Sequence, residues 1–361
     1  MSREIAVDLG ERSYRVLLSP LREWNGIELP EIGSEGQGLL VSDDRVGPLW
    51  ADRVGEGFRR RGLATRTSLF PAGEKSKRWE TLLGLYDACL EVEIRRDGWI
   101  LALGGGVAGD LAGFAAATYL RGVAFIQIPT SLLAMVDSSV GGKVGIDYAG
   151  AKNLVGAFHQ PRLVLAAPEF LSTLPDEELA NGLAEVVKAG LIGDPALFAL
   201  LEERVEPIWR REEPVLEEMI ARAIAVKARI VEEDEREAGL RQVLNLGHTL
   251  GHALEASRGF GEIRHGEAVA VGLVAACQLS HQMGLAPEGL RDRVERLLER
   301  HRLPTRARGC TWEEVEPWIR FDKKTRADGI RFVLTGNIGD VSVHRRVPMA
   351  SIREAASYVL A

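Results

Sequence analysis

Cysteine is scarce in this chain: Cys89, Cys277 and Cys310 are scattered, odd in number and without CxxC spacing. That excludes a disulfide framework and predicts a protein of the reducing cytoplasm. Long apolar runs are missing too, none approaching the ~18 residues that a membrane span needs. The opening "MSREIAVDLG" has charges where a signal peptide needs its apolar segment. No basic tract offsets the net charge of −7, which argues against nucleic acid or an anionic membrane as partner. A local basic pocket for an anionic small molecule stays compatible with that charge. There is no internal repeat and no low-complexity segment. What remains is a 361-residue, 46% hydrophobic chain, long enough for one large domain or two ordinary ones.

The first half alternates strand-like and helix-like segments. "EIAVDL" and "YRVLLS" read as a hairpin, and "QGLLVSDD", "ATRTSLF", "GWILALGGG", "VAFIQIPT" and "RLVLAA" as buried strands. Around Pro168 to Pro175 the periods become helical and stay so, apart from one hairpin in "GIRFVLTGNIGDVSVHR". The expected architecture is an α/β nucleotide-binding domain over residues 1–170, with a mostly parallel sheet, and a mainly α-helical domain over residues 171–361. The charge run "EEDERE" reads as a solvated helix end.

"LALGGGVAGDLAGF" satisfies G-x-G-x-x-G with Gly104, Gly106 and Gly109, directly after a strand and before a helix. Glycines there let backbone amides approach a diphosphate at a helix N-terminus. Two features depart from a plain Rossmann unit. The loop is not in the first βα turn, and the next strand ends in Pro129 and Thr130 with no acidic residue for a ribose. The reading is a nucleotide-diphosphate loop in a non-classical, Rossmann-like setting.

On one helical wheel, Arg241, Asn245, His248, His252 and Glu255 of "RQVLNLGHTLGHALE" share a stripe. The His248/His252 spacing is that of zinc-peptidase helices, but Thr249 stands where their general-base glutamate would be. A single such histidine is ordinarily packed or solvated; five aligned polar groups are harder to explain that way. His265 opens the next helix after "SRGFGEI". Asn181, Glu185 and Lys188 make a second polar stripe on an otherwise apolar helix, as an ion pair would, and Glu185 is the candidate third ligand beside the histidine-bearing segments.

Together "GGGVAGDLAGFAAATYLRGVAFIQIPTSLLAMVDSSVGGKVGID", "AKNLVGAFHQP", "AEVVKAGLI", "LNLGHTLGHALE" and "HGEAVAVG" resemble the 3-dehydroquinate synthase family of sugar phosphate cyclases. The resemblance runs in order over nearly the whole chain. It implies Zn2+, or Co2+ in its place, on Glu185, His248 and His265, with His252 facing substrate. It implies NAD+ along Ala72, Gly73, Glu74, Lys75, Ser76 and Lys77, along Gly106, Val107, Ala108, Gly109 and Asp110, and at Thr130, Ser131, Lys143 and Lys152. Phe170, Leu171, Ser172 and Thr173 complete that cofactor set. Substrate contacts fall on Asp137, Lys143, Asn153, Lys188, Lys227, Arg241, Asn245 and His252. A lysine of "DKK", Lys323 or Lys324, reaches the phosphate, and Arg121 does so from a neighbouring subunit of a homodimer. Ser42 and Asp43 leave the adenosine-ribose contact open, and Glu237 is a candidate near the substrate.

The reaction so implied turns 3-deoxy-D-arabino-heptulosonate 7-phosphate into 3-dehydroquinate. Its steps are oxidation, phosphate β-elimination, re-reduction by the same cofactor, ring opening and an aldol closure, one stage of the shikimate pathway. The departing phosphate takes the proton, so no glutamate is needed at Thr249. The alternatives are a sister cyclase of the inosose or valiolone synthase type and a polyol or glycerol-phosphate dehydrogenase of similar fold. Lys227, Arg241 and Asn245 favour a carboxylated substrate.

Overall fold

Every residue of the strand Trp99–Gly104 is buried, as befits a parallel strand covered on both faces. The computed structural model describes residues 2–29, 37–61, 63, 65–259, 262–324 and 330–360. The chain forms two units, Met1–Leu174 and Pro175–Ala361.

The first unit runs β1 (Arg3–Val7), β2 (Tyr14–Leu18), β3 (Gly38–Asp43), α1 (Gly47–Arg59), β4 (Thr65–Phe70), α2 (Trp79–Glu91) and β5 (Trp99–Gly104). It continues with α3 (Gly106–Thr118), β6 (Ala124–Pro129), β7 (Lys143–Tyr148), β8 (Ala151–Phe158) and β9 (Leu163–Ala166). Seven strands form one sheet in the order β1-β2-β9-β6-β5-β3-β4. Only β1 and β2 pair antiparallel; the other pairs are parallel. From β3 the chain moves outward to β4, returns to β5 on the far side of β3, and proceeds to β6. The direction of winding therefore reverses between β3 and β5, and a crevice opens beyond their C-terminal ends, the usual place for a ligand in such sheets.

Packing explains the small residues. A Cβ on Gly38 would lie 2.3 Å from the Trp99 indole, so this glycine makes room for the largest side chain of the sheet. On the other face, Leu39, Val41, Ile100 and Ala102 meet Leu82 and Leu85 of α2 and Leu111, Ala112 and Ala115 of α3. Val144 and Ile146 of β7 join the same core. The β7–β8 hairpin has no counterpart in the strand pattern expected from sequence. Gly145 faces Gly156 across it, and a Cβ on Gly156 would lie 2.3 Å from the Val144 carbonyl oxygen. Its glycine content and mostly exposed outer strand hide the usual alternation.

The second unit contains α4 (Asp176–Gly193), α5 (Pro195–Glu203), α6 (Val205–Trp209), α7 (Glu213–Glu233), α8 (His248–Arg258), α9 (His265–Gln282) and α10 (Leu290–Arg300). It ends with α11 (Trp312–Lys324), the antiparallel hairpin β10 (Arg331–Asn337) and β11 (Asp340–Arg345), and α12 (Met349–Val359). Helix α9 is buried nearly all round, as its uninterrupted small and apolar sequence requires, and packs against α4, α8, α10, α12 and β10. Among the described residues no helix is long and apolar enough to cross a membrane.

One expectation needs correction. Residues 241–255 are not one helix. Leu240–Asn245 is a separate 3-10 turn, and α8 begins only at His248. Between them Gly247 takes φ +79°, and a Cβ there would sit 2.9 Å from the Leu273 amide nitrogen. Left-handed backbone and close approach to α9 both call for glycine. The five-residue stripe is thus split: His248, His252 and Glu255 share α8, whereas Arg241 and Asn245 stand on the preceding turn.

Candidate functional site

In the second unit Glu185 sits mid-way along α4, 2% exposed. Its Oε1 lies 3.5 Å from His248 Nε2 and 3.4 Å from His265 Nε2, and its Oε2 forms an ion pair with Lys188 one turn on. Neither carboxylate oxygen has a hydrogen bond of acceptable geometry, although both are buried. His248 and His265 are each the first residue of their helices. The His252 ring lies beside them, its centroid 5.1 Å from that of His248 and 6.1 Å from that of His265. Thr249, where a peptidase would carry its base, donates weakly to the Arg331 carbonyl at 3.5 Å.

Charge follows from this packing. Burial pushes the Glu185 carboxyl up, but the Lys188 ammonium and the two histidines outweigh it and hold the group well below the usual carboxylate range. Burial, then the Lys188 charge, drives His248 well below the ordinary histidine value. A carboxylate and a neutral imidazole with its Nε2 toward it make a donor set suited to a divalent cation. Glu185, His248 and His265 offer ligand atoms all within 4.8 Å of one another.

Lys227 of α7 and Arg241 are also buried, 8% and 2% exposed. Arg241 is held by a loop that sequence reading undervalued. Asp234 accepts the backbone N–H groups of Ala238, Gly239 and Arg241 at 2.9, 2.7 and 3.0 Å. The run "EEDERE" is therefore more than a solvated helix end: its aspartate knots the turn that carries Glu237 and Arg241. The available signal was an Asp just past the helix end with a Gly shortly after it, residue types that favour turns. Asn245 Nδ2 donates to Glu237 Oε1 at 2.9 Å, which brings that pair together. Lys323 and Lys324 close α11, but their side chains lie outside the described residues.

In the first unit the expected cofactor segments follow strand ends. Ala72–Lys77 comes after β4, Gly106–Asp110 is the first turn of α3 after β5, Thr130 and Ser131 come after β6, and Phe170–Thr173 lies in a 3-10 turn after β9. Small residues let α3 settle: a Cβ on Gly109 would meet Gln127 Oε1 at 2.8 Å and one on Gly113 would meet Val144 at 2.4 Å. Lys77, 4% exposed, bonds Asp110 Oδ2 at 2.8 Å and also Asn153 Oδ1. Two cofactor segments and the β8 residue expected at the substrate thus meet at one ammonium. Asp137 lies in a π-helical turn, Ala134–Ser138. Lys143 starts β7, Lys152 precedes Asn153 on β8, and Arg121 is exposed in the turn after α3.

Three supports were not foreseen. Asp44 Oδ1 accepts the Ala72 N–H at 2.9 Å, Trp50 Nε1 donates to Thr173 Oγ1 at 3.1 Å, and the Tyr14 hydroxyl accepts the Gly141 N–H at 3.0 Å. Each fastens a loop from a distant element, a relation that no local pattern reveals. Asp43, one of the two open ribose candidates, accepts the Arg45 and Val46 N–H groups, while the Ser42 hydroxyl is buried.

The chain is similar to known proteins in sequence and in fold. The 3-dehydroquinate synthase N-terminal family matches residues 67–181 and the 3-dehydroquinate synthase C-terminal family residues 182–325. A 3-dehydroquinate synthase of Nitrosospira multiformis is 47% identical over 315 residues, which is 87% of this chain and 86% of that protein. Among solved structures, a 2-epi-5-epi-valiolone synthase from Streptomyces hygroscopicus with NAD+ and Zn2+ bound superposes with TM-score 0.88 at 28% identity, covering 98% of each chain. A 2-deoxy-scyllo-inosose synthase complexed with carbaglucose-6-phosphate, NAD+ and Co2+ gives TM-score 0.88 at 26% identity, over 99% of this chain and 100% of that one. The cyclases share the fold at lower identity, whereas the synthases share both sequence and length, and the chain belongs to the 3-dehydroquinate synthase family.

Proposed function

We propose that the chain converts 3-deoxy-D-arabino-heptulosonate 7-phosphate into 3-dehydroquinate and inorganic phosphate, with NAD+ used catalytically and a divalent cation, Zn2+ or Co2+, in the second unit. The observation that carries the reading is Glu185: a buried carboxylate with no well-formed hydrogen bond, faced by two imidazole Nε2 atoms. Lys188 compensates its charge through Oε2, while Oε1, facing the two rings, is left for a dication shared by Glu185, His248 and His265. When bound, NAD+ supplies a hydride acceptor and donor, and the cation a Lewis acid for the hydroxyl being oxidised.

The residues of the chain then bind and orient. In the first unit, amides of Gly106–Asp110 at the start of α3 suit a diphosphate, and the segments Ala72–Lys77, Thr130–Ser131 and Phe170–Thr173, with Lys143 and Lys152, complete the cofactor set. Within the first unit the substrate-binding residues of this reading are Asp137, Lys143 and Asn153; within the second they are Lys188, Lys227, Arg241, Asn245 and His252. Arg241, its backbone fixed by Asp234, offers the planar fork that pairs with a carboxylate through two parallel bonds. For the phosphate, the first unit offers Lys143 and Asn153, and the second His252 and one of Lys323 and Lys324. With the phosphate itself taking up the proton as it leaves, Thr249 has no catalytic duty, and its contact with β10 is structural. Positioning and fixed charge supply most of the rate. The same reading makes the protein a cytoplasmic homodimer in which the exposed Arg121 serves the neighbouring subunit.

The test is phosphate release from the heptulosonate phosphate with sub-stoichiometric NAD+, NADH absorbance being followed in parallel. Stoichiometric phosphate without NADH accumulation supports the reading. Steady NADH without phosphate means a dehydrogenase. Turnover only of sugar phosphates that lack a carboxylate means a sister cyclase.

A further inference from the structure

One member of the α8 polar face is still without a role. Glu255 is 2% exposed, and an ionised carboxylate is kept in such a place only with partners. Its Oε2 lies 3.5 Å from His265 Nδ1, while Nε2 of the same ring lies 3.4 Å from Glu185 Oε1. One imidazole therefore spans two buried carboxylates. His248 repeats the geometry with a different acceptor: Nδ1 is 3.1 Å from the Leu246 carbonyl oxygen and Nε2 is 3.5 Å from Glu185 Oε1. In both rings an acceptor stands beside Nδ1, so that a cation displacing any proton from Nε2 would meet its lone pair beside Glu185. The backbone of His265 is pinned as well. Asn181 Oδ1 accepts the Gly266 N–H, and a Cβ on Gly266 would lie 2.1 Å from the Asn181 carbonyl oxygen.

We propose that Glu255 is the positioning residue of the cation centre, holding the Nδ1 proton of His265 so that Nε2 is presented beside Glu185. This rests on the proposed cation site. A competing arrangement exists, because His252, Glu255 and His265 also bring ligand atoms within 4.8 Å of one another, which would make Glu255 a ligand. Both sets need His265. The Glu185 set is favoured because two Nε2 atoms converge on one buried oxygen there.

The experiment uses the full chain, stripped with a chelator and reloaded. Zn2+ affinity is read by competition with a chromophoric chelator, and ligand identity by the visible absorption bands of Co2+. Glu255→Leu is expected to lose about 10- to 100-fold in Zn2+ affinity, with Co2+ bands at wild-type positions once saturated. Glu255→Gln, whose amide oxygen still accepts the Nδ1 proton, loses less, and it serves alone if the leucine variant does not fold. Unchanged affinity in the variants overturns the proposal, and so do shifted Co2+ bands, which would make Glu255 a ligand. Failure of the underlying reading looks different: wild-type protein that takes up no stoichiometric Co2+, or Glu185→Ala protein that binds it as tightly as wild type, would overturn the cation site and this proposal with it.

Discussion

Lys77 Nζ lies 2.8 Å from Asp110 Oδ2, joining the loop after β4 to the first helical turn after the glycine motif. Burial pushes the Lys77 ammonium down, but the Asp110 and Glu74 charges outweigh it and raise the group above its ordinary value. The Lys77 ammonium is thus held charged, whereas burial raises the Asp110 carboxyl and the Lys77 charge offsets that only in part. Lys77→Met leaves Asp110 buried without its cation, an expected loss of about 3 to 5 kcal/mol, and weakens NAD+ binding. Replacing both residues by apolar ones costs less than the sum of the single changes. Urea unfolding and NAD+ titration across the four proteins of the cycle check this.

Glu185→Gln is expected to lower phosphate release by about 100-fold or more and to abolish stoichiometric Zn2+ uptake. In wild-type protein a chelator is expected to silence the reaction, and added Zn2+ or Co2+ to restore it. Metal content measured beside activity separates loss of the ion from loss of fold.

Gly247→Ala places a side chain at φ +79°, 2.9 Å from the Leu273 amide. The left-handed backbone alone costs about 1 to 2 kcal/mol, and the clash adds to it by pushing α8 from α9. Since His248 is the next residue, Zn2+ affinity falls with the melting temperature. Gly272→Ala is the harsher change, because its Cβ would lie 1.9 Å from the Gly247 carbonyl oxygen. Calorimetric melting of both variants, with and without Zn2+, tests the order.

His301 is fully buried; its Nε2 donates to the Leu201 carbonyl at 3.1 Å and its Nδ1 has no partner. Burial lowers its pKa from 6.5 to about 4. The unfolded chain therefore binds a proton here between those values while the folded chain does not, so this residue makes stability fall as pH drops from about 6.5 toward 4. The whole window is worth roughly 3 kcal/mol. His301→Gln, which keeps the donor without the titration, is expected to unfold with a shallower dependence on acid over that window.

Local chemistry was legible where it depended on neighbours in sequence. The run Trp99–Gly104 announces a buried strand, and the three glycines after it announce a turn that must admit backbone at close range. The split at Gly247 was written in "LNLGH" as well, but a wheel drawn through glycine treats it as any other residue. The β7–β8 hairpin escaped because Gly145 and Gly156 are selected by each other across the strands. Within the site, Glu185, His248 and His265 could be chosen as chemically able groups, yet their convergence depends on α4, α8 and α9 packing together. The roles of Asp44, Tyr14 and Trp50 depend on contacts between distant parts of the first unit, for which no spacing rule exists.

The register of the sheet also sets an order of assembly. Strand β2 lies between β1 and β9, with Val16 opposite Val164, and Leu21 N–H is bonded to Glu169 Oε1 across 148 positions. A nascent chain leaving the ribosome therefore makes its amino-terminal hairpin first but has nowhere to dock it until β9 has emerged. During that interval β2 and β6 each expose an open edge, the condition under which strands pair with the wrong neighbour. Closure over so long a loop is slow, and chains ending short of Leu163 are expected to collect in aggregates rather than in the soluble fraction.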